Sequence, residues 1–393
     1  MDIKGFQFSA VEAAIKKPGR RDLALIYSEV PATACAVFTT NAVKAAPVIL
    51  SRERIVSGIA QVLIVNSGNA NACTGEQGMI AATETARLVA EGLGIAEETV
   101  QVASTGVIGV QMPMDRLRAG IPGAIDALTT GTLADVSEAI MTTDTFPKME
   151  VKQVNIGTSG YTIAGIAKGA GMIMPNMATM LSFIITDATV DAPFLNLIFK
   201  QAINTSFNMI SVDGDTSTND TCLIMANGMA GNPVITAGTP EGAAFEQALN
   251  DVLLSLAKQI VLDGEGATKF VEIRVTGATT AVDAKRAAMA IANSSLVKTA
   301  FFGQDANWGR IFAAVGYSGA VVDQTRLSLS FNDVIMAQQG VFAGHDAEAR
   351  GTEVLKENQF TVTVDLGMGS GTATVFTSDL SHEYVTINAD YRT

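Results

Sequence analysis

Apolar and polar positions along the chain switch repeatedly between a period near 3.6 and a period near two, which predicts alternating helices and strands. Residues 61–68, QVLIVNSG, read as a short strand that runs into the turn-forming cluster NSGNANACTG at 66–75. An amphipathic helix follows over 78–94, closed by Gly94, and then a strand, TVQVAST, halted at Gly106. Residues 114–128 and 133–140 have helical spacing, the first with an expected interruption at Pro122. From 149 to 166 the alternation turns around GTSG at 157–160, which predicts a β-hairpin. Beyond it the pattern gives a helix over 193–210, a strand over 221–228 and a long amphipathic helix over 245–264, where Gly264 is placed to end it.

The last third predicts a strand over 269–277, one helix over 283–303, and strands at 326–332, 359–367 and 372–379. The segment GMGSGT at 367–372 reads as a hairpin turn between the last two. Hairpin-spaced strands mixed with long helices predict a mixed α/β, α+β-like layered fold rather than a doubly wound parallel sheet. There is no internal repeat, and a domain boundary, if one exists, is expected near 263–269 or 276–281.

Composition narrows the functional classes. The chain has 393 residues, 48% hydrophobic and 17% charged, enough for two domains or one large layered unit. No run of 18 apolar residues lacks polar breaks, and the N-terminal residues lack a secretory h-region, so neither membrane nor export is expected. The net charge of −13 and the absence of basic clusters argue against a nucleic-acid partner. Cys35, Cys73 and Cys222 are odd in number and far apart, as reduced thiols in a cytoplasmic protein would be.

Histidine is scarce. His345 and His382 are the only two, neither beside a nucleophile elbow, so a His-dependent triad or a His-based metal centre is poorly supplied and no metal is expected. The acidic run SVDGDTSTND at 211–220 loosely resembles a calcium loop but lacks its spaced glycine and terminal glutamate, so a hydrogen-bonded turn is expected there. GMGSGT is not followed by a helix, and the dinucleotide fingerprint fails in that context.

A hydroxyl nucleophile needs a base, and without histidine one economical source is the chain's own amine. If the chain is cut before a threonine, the freed α-amine lies beside its hydroxyl with an unperturbed pKa of about 7.7–8.0. The stretch KGAGMIMPNMATML at 168–181 has the required form: a glycine-rich loop, Pro175, then a threonine preceded by alanine at the head of an apolar run. STGVIG at 104–109 places a hydroxyl and a glycine amide together at a strand end, where they could hold an oxyanion.

KGAGMIMPNMATML closely resembles the self-cleavage segment of the ornithine acetyltransferase (glutamate N-acetyltransferase) family of arginine biosynthesis. NSGNANACTG, STGVIG, MTTDTFPK, SVDGDTSTND, LDGEGATK, DANWGR and NADYRT are similar to that family in order and over nearly the whole chain. The resemblance implies an αββα layered sandwich with a smaller C-terminal lobe from about residue 280. It also implies self-cleavage between Ala178 and Thr179 into an α chain, 1–178, and a β chain, 179–393, assembled as a heterotetramer or larger multiple.

On the same resemblance Thr179 is the nucleophile and acetyl carrier, and Thr105 and Gly106 form the oxyanion hole. Substrate contacts fall on Lys168, Glu265, Asn388, Thr393, Thr179 itself, and Thr142 in preference to its neighbour Thr143. The implied reaction moves acetyl from N2-acetylornithine to glutamate in two half-reactions, with no cofactor. Acetyl-CoA is a possible co-substrate, and the sequence does not separate a bifunctional from a monofunctional member. The competing readings are an N-terminal-nucleophile amidase or peptidase of similar fold, an acetyltransferase of secondary metabolism, and an unprocessed binding protein.

Overall fold

The computed structural model describes residues 3–156, 159–174 and 180–390. The chain opens with β1 (Phe6–Val11) and the long β2 (Leu23–Phe38), then α1 (Ala46–Arg54), β3 (Ile59–Asn66), α2 (Gly75–Leu93) and β4 (Val100–Ser104). Helices α3 (Met114–Asp126) and α4 (Leu133–Ala139) lead to the hairpin of β5 (Lys148–Ile156) and β6 (Ser159–Lys168). β7 (Leu181–Thr186), α5 (Ala192–Thr205), β8 (Ile210–Ser211), β9 (Thr221–Ala226) and α6 (Pro240–Leu262) follow. The remainder runs β10 (Phe270–Ala278), α7 (Ala281–Ala292), α8 (Ser295–Phe302), α9 (Trp308–Tyr317), β11 (Ser328–Phe331), β12 (Val334–Gln338) and β13 (Val341–Phe342). It closes with α10 (His345–Lys356), β14 (Gln359–Asp365), β15 (Gly371–Ser378) and α11 (His382–Asp390).

These elements form the expected mixed α/β layers. The first sheet has the order β4-β3-β2-β9-β7-β6-β5, with β1 also paired to β2. β3–β4 and β7–β9 are parallel and the other pairs antiparallel. The second sheet has the order β13-β12-β11-β14-β10-β15-β8. Helices α5 and α6 cover one side of the first sheet, and α1, α2 and α3 cover its β3–β4 end. Helices α7 and α9 cover one face of the second sheet.

Helix α6 shows how sequence produces packing. Thr239 caps it by accepting from the Gly242 amide at 3.0 Å, and Pro240 occupies its first turn. Phe245, Leu249, Val252, Leu253, Leu256 and Ile260 then fall on one stripe and are all buried. At about 1.5–3 kcal/mol for each such side chain, this stripe alone is a large share of what holds the helix to its sheet. No helix among the described residues is long and apolar enough to cross a membrane.

Four local expectations need correction. The helix read over 283–303 is two, because Ser294 caps α8 by accepting from the Val297 amide at 3.3 Å and Asn293 ends α7. Pro122 does not interrupt α3, whose Leu117, Ile121 and Ala124 stay buried on one face. Gly264 is not the residue that caps α6; Asp263 takes that position, and the left-handed glycine is Gly266. GMGSGT is not a hairpin turn, since β14 and β15 flank β10 on opposite sides. The segment crosses over the end of β10, where the Met368 and Gly369 amides donate to the Gly277 carbonyl at 2.6 and 2.9 Å.

Candidate active site

Register places the ends of three neighbouring strands side by side: Lys168 of β6 pairs with Leu181 of β7, and Leu181 with Thr221 of β9. The loop leaving β6 and the loop entering β9 therefore meet above the same strand ends. Lys168, largely buried, donates from Nζ to the Thr142 hydroxyl at 2.7 Å and lies 3.8 Å from Asp144. Thr142 is held in turn, because its amide donates to Asp144 at 2.9 Å.

Beneath this pair lies a buried ionic chain. Lys148, fully buried at the start of β5, donates to Asp144 at 2.8 Å and to Asp263 at 2.5 Å. Asp144 also accepts from the Gly169 amide at 2.6 Å, and Asp263 from the Thr145 amide and hydroxyl. Burial alone would raise the Asp144 carboxyl, but Lys168, Lys148 and the Thr142 amide outweigh it and hold the group well below the usual carboxylate range. The chain ties the 141–148 loop to the end of α6 and to the first residue after β6.

Glu265 enters from the turn after α6. Its amide donates to the Ala170 carbonyl at 2.9 Å, and its carboxyl accepts from Asn388 Nδ2 at 2.7 Å. A side chain at position 171 would collide with that carboxyl, since a Cβ on Gly171 would stand 2.4 Å from it. Asn388 is delivered by α11, which Ser381 pins by donating to the Gly266 carbonyl at 2.6 Å. From the same helix Tyr384 donates to Asp213 at 3.2 Å; burial first, and then the Asp213 charge, push its hydroxyl pKa up. Asp213 also accepts from the Met172 and Ile173 amides at 2.5 and 2.8 Å, which anchors the loop leaving β6.

Across the cleft, β4 ends at Ser104. Asn219 Nδ2 donates to the carbonyls of Ser104 (2.8 Å) and Ala70 (2.6 Å), and so joins the β9 approach to this strand end. Gly106 has φ +133°, and a Cβ there would come within 2.3 Å of Gly68, so only glycine lets this chain lie against the 66–75 loop. Among the described residues the Gly106 amide and Thr105 hydroxyl have no hydrogen-bond partner, which leaves two adjacent donors facing the cleft.

Asp220 completes the wall. It is almost fully buried, bonded to the Ser217 hydroxyl and the Met180 amide, while Oδ2 has no partner among the described residues. Burial pushes its carboxyl well above the usual range, against the pull of those bonds and of Lys168.

One cleft is therefore lined by Thr105, Gly106, Thr142, Lys168, Glu265 and Asn388, with Thr143 beside Thr142. Six residues from five distant segments meet there. Ala178, Thr179 and Thr393 lie outside the described residues; the described chain resumes at Met180, which lines the cleft. The sequence reading missed Asp144, Lys148, Asp263, Asp213 and Asp220. The available signals were the Asp–Lys pair four apart in MTTDTFPK and the density of carboxylates in 211–220, where only a turn was expected. His345 is exposed beside Glu348, and His382 packs edge-on to Phe302.

The ArgJ family model matches residues 7–393. The chain is 66% identical over all 393 residues, and over the whole of that protein, to the arginine biosynthesis bifunctional protein ArgJ of Geobacter sulfurreducens. Identity to the protein of the same name from Syntrophotalea carbinolica is 54% over 391 residues, covering 100% of this chain and 99% of that one. A crystal structure of the Bacillus halodurans bifunctional protein ArgJ aligns with 44% identity and TM-score 0.52. The match covers 54% of this chain and 100% of that one.

Proposed function

This chain belongs to the ArgJ family, and on that premise we propose that it is a self-cleaving acetyltransferase moving acetyl from N2-acetylornithine to glutamate. The observation that carries the proposal is the convergence of Thr105, Gly106, Thr142, Lys168, Glu265 and Asn388 on one cleft where the chain resumes at Met180. Cleavage between Ala178 and Thr179 would free the amine that serves as base. Residues 179–393 are 215 of 393, about 55% of the chain, close to the 54% that the whole Bacillus halodurans chain covers.

In the first half-reaction the Thr179 hydroxyl attacks the acetyl carbonyl carbon and its proton passes to the Thr179 α-amine. The oxyanion faces the Thr105 hydroxyl and the Gly106 amide, donors that need no rearrangement. The C–N bond breaks, the proton goes to the departing ornithine amine, and an acetyl ester remains on Thr179. Glutamate's amine then attacks that ester by the same path in reverse. Lys168 offers a fixed cation for a substrate carboxylate, and the Asp144–Lys148–Asp263 chain keeps it in place. Glu265, steadied by Asn388, offers the carboxylate for ornithine's side-chain ammonium.

The cleaved chains would stay interleaved, because β6 and β7 lie on either side of the cut and pair along their length. We place the enzyme in the cytoplasm as a heterotetramer or larger multiple. The test is a transfer assay from N2-acetylornithine to glutamate with the purified protein. Ping-pong kinetics are expected; hydrolysis to acetate with no acetylglutamate would instead indicate an amidase.

A further inference from the structure

The Thr179 α-amine serves as base only once it exists. Before the cut its nitrogen belongs to an amide, which is a poor proton acceptor and a poor leaving group until it is protonated. Self-cleavage therefore needs a proton-transfer group that acetyl transfer does not. The two histidines lie elsewhere, His345 beside Glu348 and His382 against Phe302. On the cleft wall, Glu265 accepts from Asn388, Asp213 accepts from the Met172 and Ile173 amides and from Tyr384, and Asp215 is exposed. Lys168 is turned to Thr142 and Asp144.

Asp220 differs from all of these. It lines the same cleft, is 2% exposed, and its Oδ2 has no hydrogen-bond partner among the described residues. A buried polar atom without a partner calls for an explanation. Its place is fixed from two sides: the Thr39 amide donates to the Asp220 carbonyl at 3.0 Å, and the Thr221 amide to the Met180 carbonyl at 3.1 Å. The carboxyl accepts from the Met180 amide, whose nitrogen is covalently bonded to the carbonyl carbon of Thr179. That single bond of about 1.33 Å brings the carboxyl within reach of the cut. Ser217 Oγ accepts from the Asn219 amide at 3.1 Å and donates its own proton to Asp220. Burial outweighs these bonds and the Lys168 charge, so the group keeps its proton to a higher pH than an ordinary carboxyl.

We propose that Asp220 is the proton donor of self-cleavage, acting through Oδ2 on the Thr179 nitrogen. The inference rests on the reading of Ala178–Thr179 as the cut. The Thr179 hydroxyl oxygen attacks the Ala178 carbonyl carbon, and the C–N bond breaks as the nitrogen takes the Oδ2 proton. The hydroxyl's own proton passes to Oδ2, so the carboxyl ends as it began and an Ala178 ester remains on Thr179. Water then adds its OH to that carbonyl and its hydrogen to the Thr179 oxygen, which frees the Ala178 carboxyl and restores the hydroxyl.

The experiment follows the 40.9 kDa full chain as it splits after a pulse of cell-free synthesis, over roughly pH 5–9, for wild type, Asp220→Asn and Ser217→Ala. Asp220→Asn should cleave about a hundredfold or more slowly, the contribution of a general acid. The wild-type advantage should shrink as pH rises, because ionised Asp220 has no proton to give. Ser217→Ala removes a bond that favours the ionised carboxyl, so its fall in rate should move to higher pH. Uncleaved Asp220→Asn should unfold no earlier than uncleaved Thr179→Ala, which separates lost chemistry from lost structure; if it does unfold earlier, the Ser217→Ala shift alone decides. Equal rates, an advantage independent of pH, or a Ser217→Ala shift that is absent or toward lower pH would each overturn the assignment. A wild-type chain that never splits would instead overturn the reading of the cut.

Discussion

Replacing Lys148 with Met should be the most damaging single change to the site that leaves every residue of the cleft lining intact. Met fills a similar volume, so the packing loss is small and the electrostatic loss is isolated. Removing one partner from a buried ion pair costs about 3–5 kcal/mol, because the other charge is left buried and unpaired. Here two carboxylates are left. Asp144 keeps the Thr142 and Gly169 amides and Lys168 at 3.8 Å, and Asp263 keeps Thr145, so the lower end, about 3 kcal/mol, is expected. At about 2 °C per kcal/mol for a chain of this size, Tm should fall by roughly 6 °C. The pH dependence gives a second check. Asp144 is depressed in the folded state, so its contribution is complete above the unfolded carboxyl pKa and is lost as pH falls below about 4. The gap between wild type and variant should therefore be full at neutral pH and narrow below that point. The assay is chemical denaturation across pH, with the KM for acetylornithine measured in parallel, which should rise as Lys168 and Thr142 lose their footing. A loss under about 1 kcal/mol at neutral pH, or a gap independent of pH, would refute the reasoning.

Thr179→Ala should give an uncleaved chain with no transfer activity, read by denaturing mass and the acetylornithine assay; processing between 178 and 179 in that variant would remove Thr179 as nucleophile. Glu265→Gln should still cleave, yet bind acetylornithine roughly tenfold or more weakly, since a charged hydrogen-bonded pair is worth about 1.5–3 kcal/mol. Unchanged kinetics would take Glu265 out of the site. Asp220→Asn should become more stable relative to wild type as pH rises above about 4, because the folded-state carboxyl titrates above its unfolded value and its ionisation opposes folding. Parallel stability–pH curves for the two proteins would contradict the neutral-carboxyl assignment.

How much of this could be read from the sequence depended on the range of the interaction. Elements with a strong internal period were legible: α2, α6 and the β5–β6 hairpin follow from side-chain spacing, and Gly94 ends α2 as its placement implies. The break between α7 and α8 was missed because Asn293 and Ser294 fit a helical pattern until their side chains bond elsewhere; Asn293, for example, accepts from Ser211 at 2.5 Å. The GMGSGT error has a different origin. Insertion of β10 between β14 and β15 is a long-range pairing, and no local composition reports it. Thr105, Gly106, Thr142, Lys168, Glu265 and Asn388, singled out by short motifs, do line one cleft, whereas the supporting ions were not read. Lys148 looks like an ordinary strand lysine until Asp263, more than a hundred residues away, is folded onto it.

The most direct test of the account is intact-mass analysis of the denatured protein before and after N2-acetylornithine is added, and again after glutamate. Scaling 40.9 kDa by residue share, cleavage after Ala178 gives species of roughly 18.5 and 22.4 kDa. The larger, beginning at Thr179, should gain one acetyl group with acetylornithine and lose it to glutamate. A single uncleaved species that still transfers acetyl, or two species of which the larger never gains the group, would contradict the central claim.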